Sequence, residues 1–347
     1  MRTATTIEAL VGSWQDNVTL AVEAEKLGLD VCWISEAWGS DAPSPLGYLA
    51  ARTNRMTLGS GTIQLATRTP TLIAMTAMTL ADLSGGRFVL GLGSSGPQVV
   101  EGMHGVPFDR PLRRMRETID IVRQVFAGVK IKHSGEVFSV PRAGGEGVPM
   151  RTSLPANPDI PIYVAALMPK MLELAGEIAD GWLGSSFVPE GASAYLDALS
   201  AGAARGGRTL AEIDLCQGAE VHFVEDEGQL AAVAATRKKD LAFSLGGMGS
   251  ATTNFYNSAY SRQGWSEIAA EVRELWQAGR HADATALITD DMIFSTTLIG
   301  TEHMVRERLT AWRDRGITTV RFYPAGATVA EKLDNLGRAI DLARNLS

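Results

Sequence analysis

Two carboxylates in this chain stand where a pocket would want them. Glu8 closes the short run TTIEAL (Thr5–Leu10), and Glu36 follows the run DVCWIS (Asp30–Ser35). A carboxyl group buried beside a bound ring holds its proton more tightly, which suits a general acid near neutrality. The competing reading is that one of them forms a structural ion pair with Arg68. A second candidate is the G-x-G-x-x-G from Gly91 to Gly96, within GRFVLGLGSSG. In a dinucleotide fold such glycines turn a first strand directly into a helix whose amides hold pyrophosphate, with an acid about 20 residues further on. Here Pro97 follows Gly96 at once, and Gly102, Gly105, Pro107 and Pro111 come behind it. No helix is expected before about Pro111, no strand-ending acid follows, and the dinucleotide reading is set aside. A third candidate is the passage from Ala165 to Lys170, a strand end running into a helix start, where backbone N–H groups form a ready anion site. The five histidines, His104, His133, His222, His281 and His303, lack ligand spacing, and no metal site is expected.

These residues need a frame. Short β-branched runs alternate with longer helical patterns, as a parallel sheet covered by helices requires. Besides the two runs above they are Arg55–Leu65, Arg87–Gly93, Ile160–Ala166, Gly181–Ser186, Asp214–Val224 and Thr318–Pro324. Eight such strands predict an α/β fold closed as a (β/α)8 TIM barrel, a form of about 250 residues before insertions. In PLRRMRETIDIVRQVF, Pro111 suits a first helical position, and Met115, Ile119, Val122 and Phe126 recur at helical spacing. Three stretches exceed a minimal barrel: about 94–110, 128–159 and 241–301. Insertions of this kind are expected on the catalytic face, at the C-terminal ends of the strands. The second contains IKHSGEVFSV, which reads as a hairpin around Ser134–Gly135, and the third opens with LGGMGSATTNFYNSAYSRQGW, a segment suited to covering a pocket. Nothing divides residues 1–347 into separate domains.

The composition narrows the partners. The chain has 347 residues, 45% hydrophobic and 20% charged, so it can bury a large core. A net charge of −7 without a basic cluster argues against nucleic acid and against an anionic membrane surface. Only Cys32 and Cys216 occur, with Cys32 inside the apolar VCWI, and no run approaches the roughly 18 apolar residues of a membrane span. The expectation is a cytoplasmic protein acting on a small molecule.

Three long strings resemble the bacterial luciferase-like superfamily of flavin and deazaflavin enzymes: LGLDVCWISEAWGSDAPSPLGYLAARTNR (Leu27–Arg55), the stretch from Leu58 to Leu112, and PIYVAALMPKMLELAGEIADGWL (Pro161–Leu183). The likeness runs over nearly the whole chain. LSGGRFVLGLG is shared with FMN-using relatives, whereas SGPQVVEGMHGVPFDRPL is similar to the branch that uses the 5-deazaflavin coenzyme F420. The resemblance implies an F420-dependent oxidoreductase moving hydride between C5 of the deazaflavin and a small organic substrate. The alternatives are an FMN-dependent monooxygenase and a barrel that binds flavin without turnover. Homodimers are common in the superfamily, although periodicity shows no interface.

The resemblance also implies roles. The Gly61–Thr62 peptide would be a non-prolyl cis bond bulging against the cofactor ring, with Ser94, Ser95 and Gly96 beside ring and polyol. Ala165, Ala166, Leu167, Met168, Pro169 and Lys170 would receive the cofactor phosphate, completed by Gly184, Ser185 and Ser186. Glu8 and Glu36 match places where methylene-tetrahydromethanopterin reductases keep an acid. Trp38, Phe255, Tyr256 and Tyr260 are candidates for an apolar substrate wall. Glu101 and His104, in the loop after the fourth strand, are candidates at the pocket edge, with capping as the competing role. Ala37 and Gly96 stand where the branch's sugar-phosphate dehydrogenases have histidine and glutamate, which disfavours glucose-6-phosphate oxidation.

Overall fold

The computed structural model describes residues 1–7, 13–250 and 253–346. Eight parallel strands close into a barrel: β1 (Arg2–Ile7), β2 (Val31–Ile34), β3 (Thr57–Ser60), β4 (Phe88–Gly93), β5 (Ile162–Ala165), β6 (Gly181–Gly184), β7 (Asp214–Phe223) and β8 (Thr319–Pro324). They pair in chain order, and β8 returns to both β7 and β1, so no barrel edge is left open. The eight expected strands are all present. The first begins at Arg2 rather than Thr5. The run Arg55–Leu65 splits into β3 and a two-residue strand, Ile63–Gln64, on either side of a cis Gly61–Thr62 peptide.

Alternation along the strands sorts side chains into two cores. One face packs under the helices, with Cys32, Ile34, Leu58, Leu90, Val320 and Phe322 buried there. The other fills the lumen with Ala4, Val31, Trp33, Val89, Tyr163, Leu183 and Cys216. The rings of Trp33 and Tyr163 lie 5.4 Å apart across that lumen. Because both faces are buried, the strands read as near-continuous apolar runs, as in the wholly buried FVLGLG of β4. Both cysteines are buried and free, and burial pushes their thiols up to about 12.

The covering helices include α1 (Trp14–Lys26), α2 (Pro43–Ala50), α3 (Pro70–Leu83), α4 (Pro111–Phe126), α5 (Pro169–Ile178), α6 (Ser193–Arg205) and α7 (Glu227–Gly246). Several start on side-chain caps, with Ser13 accepting from Asp16 N, Thr69 from Leu72 N and Asp226 from Gln229 N. Among the described residues no helix is long and apolar enough to cross a membrane.

The insertions depart from expectation in two ways. A single helical turn, Pro97–Val100, forms well before Pro111, because proline fits a first helical position. The 128–159 segment follows a helix rather than a strand, and none of its residues lines the cavity described below. Its hairpin pairs His133–Ser134 with Ser139–Val140 and runs back along the outside of α4. There the buried Glu117 carboxylate accepts the backbone N–H groups of Glu136, Val137 and Phe138. The segment between α7 and β8 forms a small separate core with the end of α7, including Leu245 from that helix and Tyr260, Val272, Met292 and Ile299. Tyr260 belongs to that core, its hydroxyl 3.2 Å from Thr296, rather than to a substrate wall.

Candidate active site

A cavity of about 510 Å3 opens at the C-terminal ends of the strands. Thr62, Gln64, Gly93, Ala165 and Leu183 line its base, and Glu36, Ala37 and Trp38 come from the loop after β2. Ser94 to Val99, Phe108, Pro111 and Leu112 form one wall; Ala166 to Met168, Lys170, Met171 and Ser185 form the opposite one. Met248, Gly249 and Thr253 to Tyr256 arrive from the segment between α7 and β8. Loops at this end of a barrel carry function because the strands beneath hold them rigidly.

Most of the sequence candidates meet here. Glu36, Trp38, Thr62, Ser94, Ser95, Gly96, Ala165, Ala166, Leu167, Met168, Lys170, Ser185, Phe255 and Tyr256 all line the cavity. Gly61, Pro169, Gly184 and Ser186 are chain neighbours of lining residues and are not themselves on the surface of the cavity. Glu8 lies outside the described residues. Glu101 and His104 stand away from the cavity: the Glu101 carboxylate accepts Phe108 N–H at 3.0 Å and so braces its own loop. The sequence reading passed over Gln64, Phe108, Leu112, Met171 and Asn254. Phe108 and Leu112 were within reach, since both fall in the quoted string that carries the resemblance.

Glu36 combines the two roles weighed for it. Its Oε1 is in contact with Arg68 Nη1 in a nearly buried ion pair, while Oε2 accepts Ala42 N–H at 3.0 Å. Gln64 donates its side-chain amide to the carbonyl of Ala37 at 2.9 Å, tying the loop after β2 to the loop after β3. The carboxylate is therefore held in place at the cavity wall by partners on two loops. Lys170 is different. Its ammonium is mostly exposed and paired with Glu173 at 2.9 Å, which leaves the backbone at the start of α5 as what this turn could offer an anion. The N-cap there, Met168, makes no side-chain cap.

Two cavity loops contain left-handed serines, Ser95 at φ 57° and Ser186 at φ 55°. Such a conformation costs of order 1 kcal/mol in a non-glycine residue and persists where the surroundings impose it. At Ser186 the surroundings are explicit. The carbonyl of Ser186 accepts Gln263 Nε2 at 2.6 Å, and Gln263 Oε1 accepts Val188 N–H at 2.8 Å. Beside it, Arg262 Nη2 donates to the Leu167 carbonyl at 2.5 Å, and the Arg262 guanidinium lies 5.8 Å from the centre of the Tyr195 ring. Burial raises the Tyr195 phenol above its ordinary value, so it stays a neutral donor near the carbonyls of Ser185 and Ser186. Among the described residues no group of three or more His, Cys, Asp or Glu is placed to hold a metal ion.

The family model described as luciferase-like monooxygenase matches residues 1–319. A Mycobacterium tuberculosis protein named "Putative coenzyme F420-dependent oxidoreductase" is 40% identical over 312 residues, covering 88% of this chain and 89% of its own. The 5,10-methylenetetrahydromethanopterin reductase of Archaeoglobus fulgidus is 29% identical, covering 91% of this chain and 92% of its own. Among solved structures, the coenzyme F420-dependent tetrahydromethanopterin reductase of Methanopyrus kandleri superimposes with a TM-score of 0.79 at 24% identity, covering 97% of each chain. That last likeness speaks to the fold.

Proposed function

The chain belongs to the luciferase-like monooxygenase family, and on that premise we propose that it is an F420-dependent oxidoreductase acting on a small organic substrate. The observation that carries the reading is the coincidence of one cavity with the residues assigned to the deazaflavin, in a chain 40% identical to a relative named for that coenzyme. The cavity fits such a group. Gly93 and Ala165 put almost no side chain into its base, which leaves room for a flat ring beside the Gly61–Thr62 peptide. The uncapped start of α5, next to Ser185, offers backbone N–H groups to an anionic tail.

When bound, F420 supplies the hydride chemistry. The protein does the rest. Ser94 to Gly96 and the Ala165–Lys170 turn hold and orient the cofactor, while Trp38, Phe255 and Tyr256 exclude water from the substrate half. Glu36 moves the accompanying proton or fixes the group that does, and Glu8 is the second acid assigned here. Two buried free cysteines support a reducing, cytoplasmic setting. The reading includes a homodimer, supported by the exposed apolar side chains Tyr48 on α2 and Leu72, Met75 and Leu83 on α3.

The test is tryptophan-quenching titration with F420 and, separately, with FMN. Binding of F420 in clear preference to FMN supports the reading. Preference for FMN, followed by oxygen consumption with substrate, replaces it with the monooxygenase. Binding of neither refutes the cofactor assignment.

A further inference from the structure

Charge is distributed unevenly over the cavity. Among its described lining residues only Glu36 and Lys170 carry a charge. Lys170 belongs to the turn assigned to the cofactor phosphate, and cations gather just past it. There Arg110, Arg113, Arg116 and Arg205 line a groove that shares Pro111, Leu112 and Lys170 with the cavity. The loop after β2, three strands round the barrel from β5, is different. Its Glu36 is already held by Arg68 in the nearly buried pair, so neither partner is open to a further charge. Residues 8–12, 251–252 and 347, outside the described ones, include no Lys, Arg or His and so add no positive charge.

The surface away from the phosphate turn is largely apolar. Trp38 lines the cavity with 52% of its surface exposed, and Met248, Phe255 and Tyr256 reach the same cavity from the segment between α7 and β8. An exposed indole in a concave site gains from apolar contact. The polar groups beside it are committed. Asn254 Nδ2 donates to the carbonyls of Ser244 and Leu245 at 2.9 Å, and its Oδ1 accepts Asn257 N–H at 3.0 Å. Gln64 gives its side-chain amide to the Ala37 carbonyl. A carboxylate or phosphate entering here would lose its water without gaining a cation, which is costly in a closed site. An uncharged molecule meets no such cost and gains the apolar contact.

We propose that the substrate is an uncharged, largely apolar molecule, and that the wall formed by Trp38 and Phe255 selects against organic acids and phosphorylated compounds. The inference rests on the F420 reading, because it is the cofactor phosphate that claims Lys170 and leaves the rest of the cavity without a cation. Trp38 and Phe255 are then specificity-determining side chains. They act through desolvation and apolar contact, and take no part in the hydride or proton movements.

The experiment is a calorimetric titration of the protein loaded with oxidised F420, which has no hydride to give, so carbonyl probes bind without turnover. The probes are pairs matched in shape: methyl formylbenzoate against formylbenzoate, and methyl oxocyclohexanecarboxylate against oxocyclohexanecarboxylate. The esters are expected to bind at least about tenfold more tightly than the acids. In Trp38→Arg the acids are expected to gain by a similar factor, closing the gap, while Trp38→Phe keeps the wild-type ratio. Phe255→Arg places the charge on the neighbouring element and decides the matter if Trp38→Arg does not fold. Acids that bind as tightly as their esters, or no binding of either, overturn the inference while F420 binding by the wild type stands. An ester preference that neither arginine variant moves overturns the assignment of selection to this wall. Failure of the wild type to bind F420 overturns the F420 reading and this inference together.

Discussion

The side chain of Gln263 is hydrogen-bonded to both sides of the loop that follows β6, giving a proton to the Ser186 carbonyl at 2.6 Å and taking one from Val188 N–H at 2.8 Å. The segment between α7 and β8 is thereby fastened to a wall of the cavity at a buried point. Gln263→Ala removes both bonds, leaving Val188 N–H without this partner and the Ser186 carbonyl with only the longer bond from the Tyr195 hydroxyl, and an unpaired buried group costs about 1–3 kcal/mol. Expected is F420 binding weaker by about tenfold, the equivalent of 1.4 kcal/mol. Titration beside a melting curve checks it, and unchanged affinity would show that the fastening does not reach the cavity.

The glycine motif separates into a strand-packing member and a cavity-lining member. A Cβ on Gly91 would lie 1.9 Å from the Ser60 carbonyl, where neither strand of the barrel can yield. At Gly96 the nearest atom to an added Cβ is the end of a glutamine side chain at 3.9 Å. Gly91→Ala is expected to destabilise the fold by about 3 kcal/mol, the upper end for overpacking. Gly96→Ala should melt like wild type and alter only ligand affinity. Equal melting temperatures for the two variants would contradict the assignment.

Glu117 links pH to the hairpin on α4. Burial works against its ionisation, but the N–H groups of Phe138, Glu136 and Val137, with His133 close by, outweigh that and hold its carboxyl below the usual range. A carboxyl depressed in the folded state stabilises above its unfolded pKa of about 4.3 and loses that contribution as pH falls through the folded value. Thermal melts of wild type and Glu117→Gln should therefore differ at pH 7 and converge in acid. Parallel curves from pH 7 down to 3 would mean that Glu117 carries no linkage.

Glu36→Gln tests the acid at the cavity wall. The amide keeps the size of the carboxylate but gives Arg68 and Ala42 N–H a weaker acceptor. A reduction of about a hundredfold in kcat, in the range of general acid–base contributions, is expected with F420 affinity within about threefold. Steady-state rates with any accepted substrate decide it, and an unchanged kcat assigns Glu36 to the ion pair alone.

The local sequence was enough for the barrel, since strands buried on both faces leave continuous apolar, β-branched runs such as VCWI and FVLGLG, whatever the rest of the chain does. Likewise the position of Ser94 to Gly96 and of the Ala165–Lys170 turn at the cavity was legible, because the loops at this end of a barrel follow immediately after the strands. Closure of the barrel decided what remained. Gln263 meets Ser186 across 77 positions of sequence, and Arg262 meets Leu167 across 95, in a kinked stretch with no periodicity to mark it. Alternation could have turned Arg321 toward the lumen, yet its hydrogen bond to the Gly184 carbonyl exists only once β6, β7 and β8 are paired. The 128–159 segment was misplaced for the same reason: its composition resembles a loop at the catalytic face, and only its attachment to Glu117 sends it along the outside of α4. Local pattern encodes which way a side chain points; which partner it meets depends on distant strands arriving together.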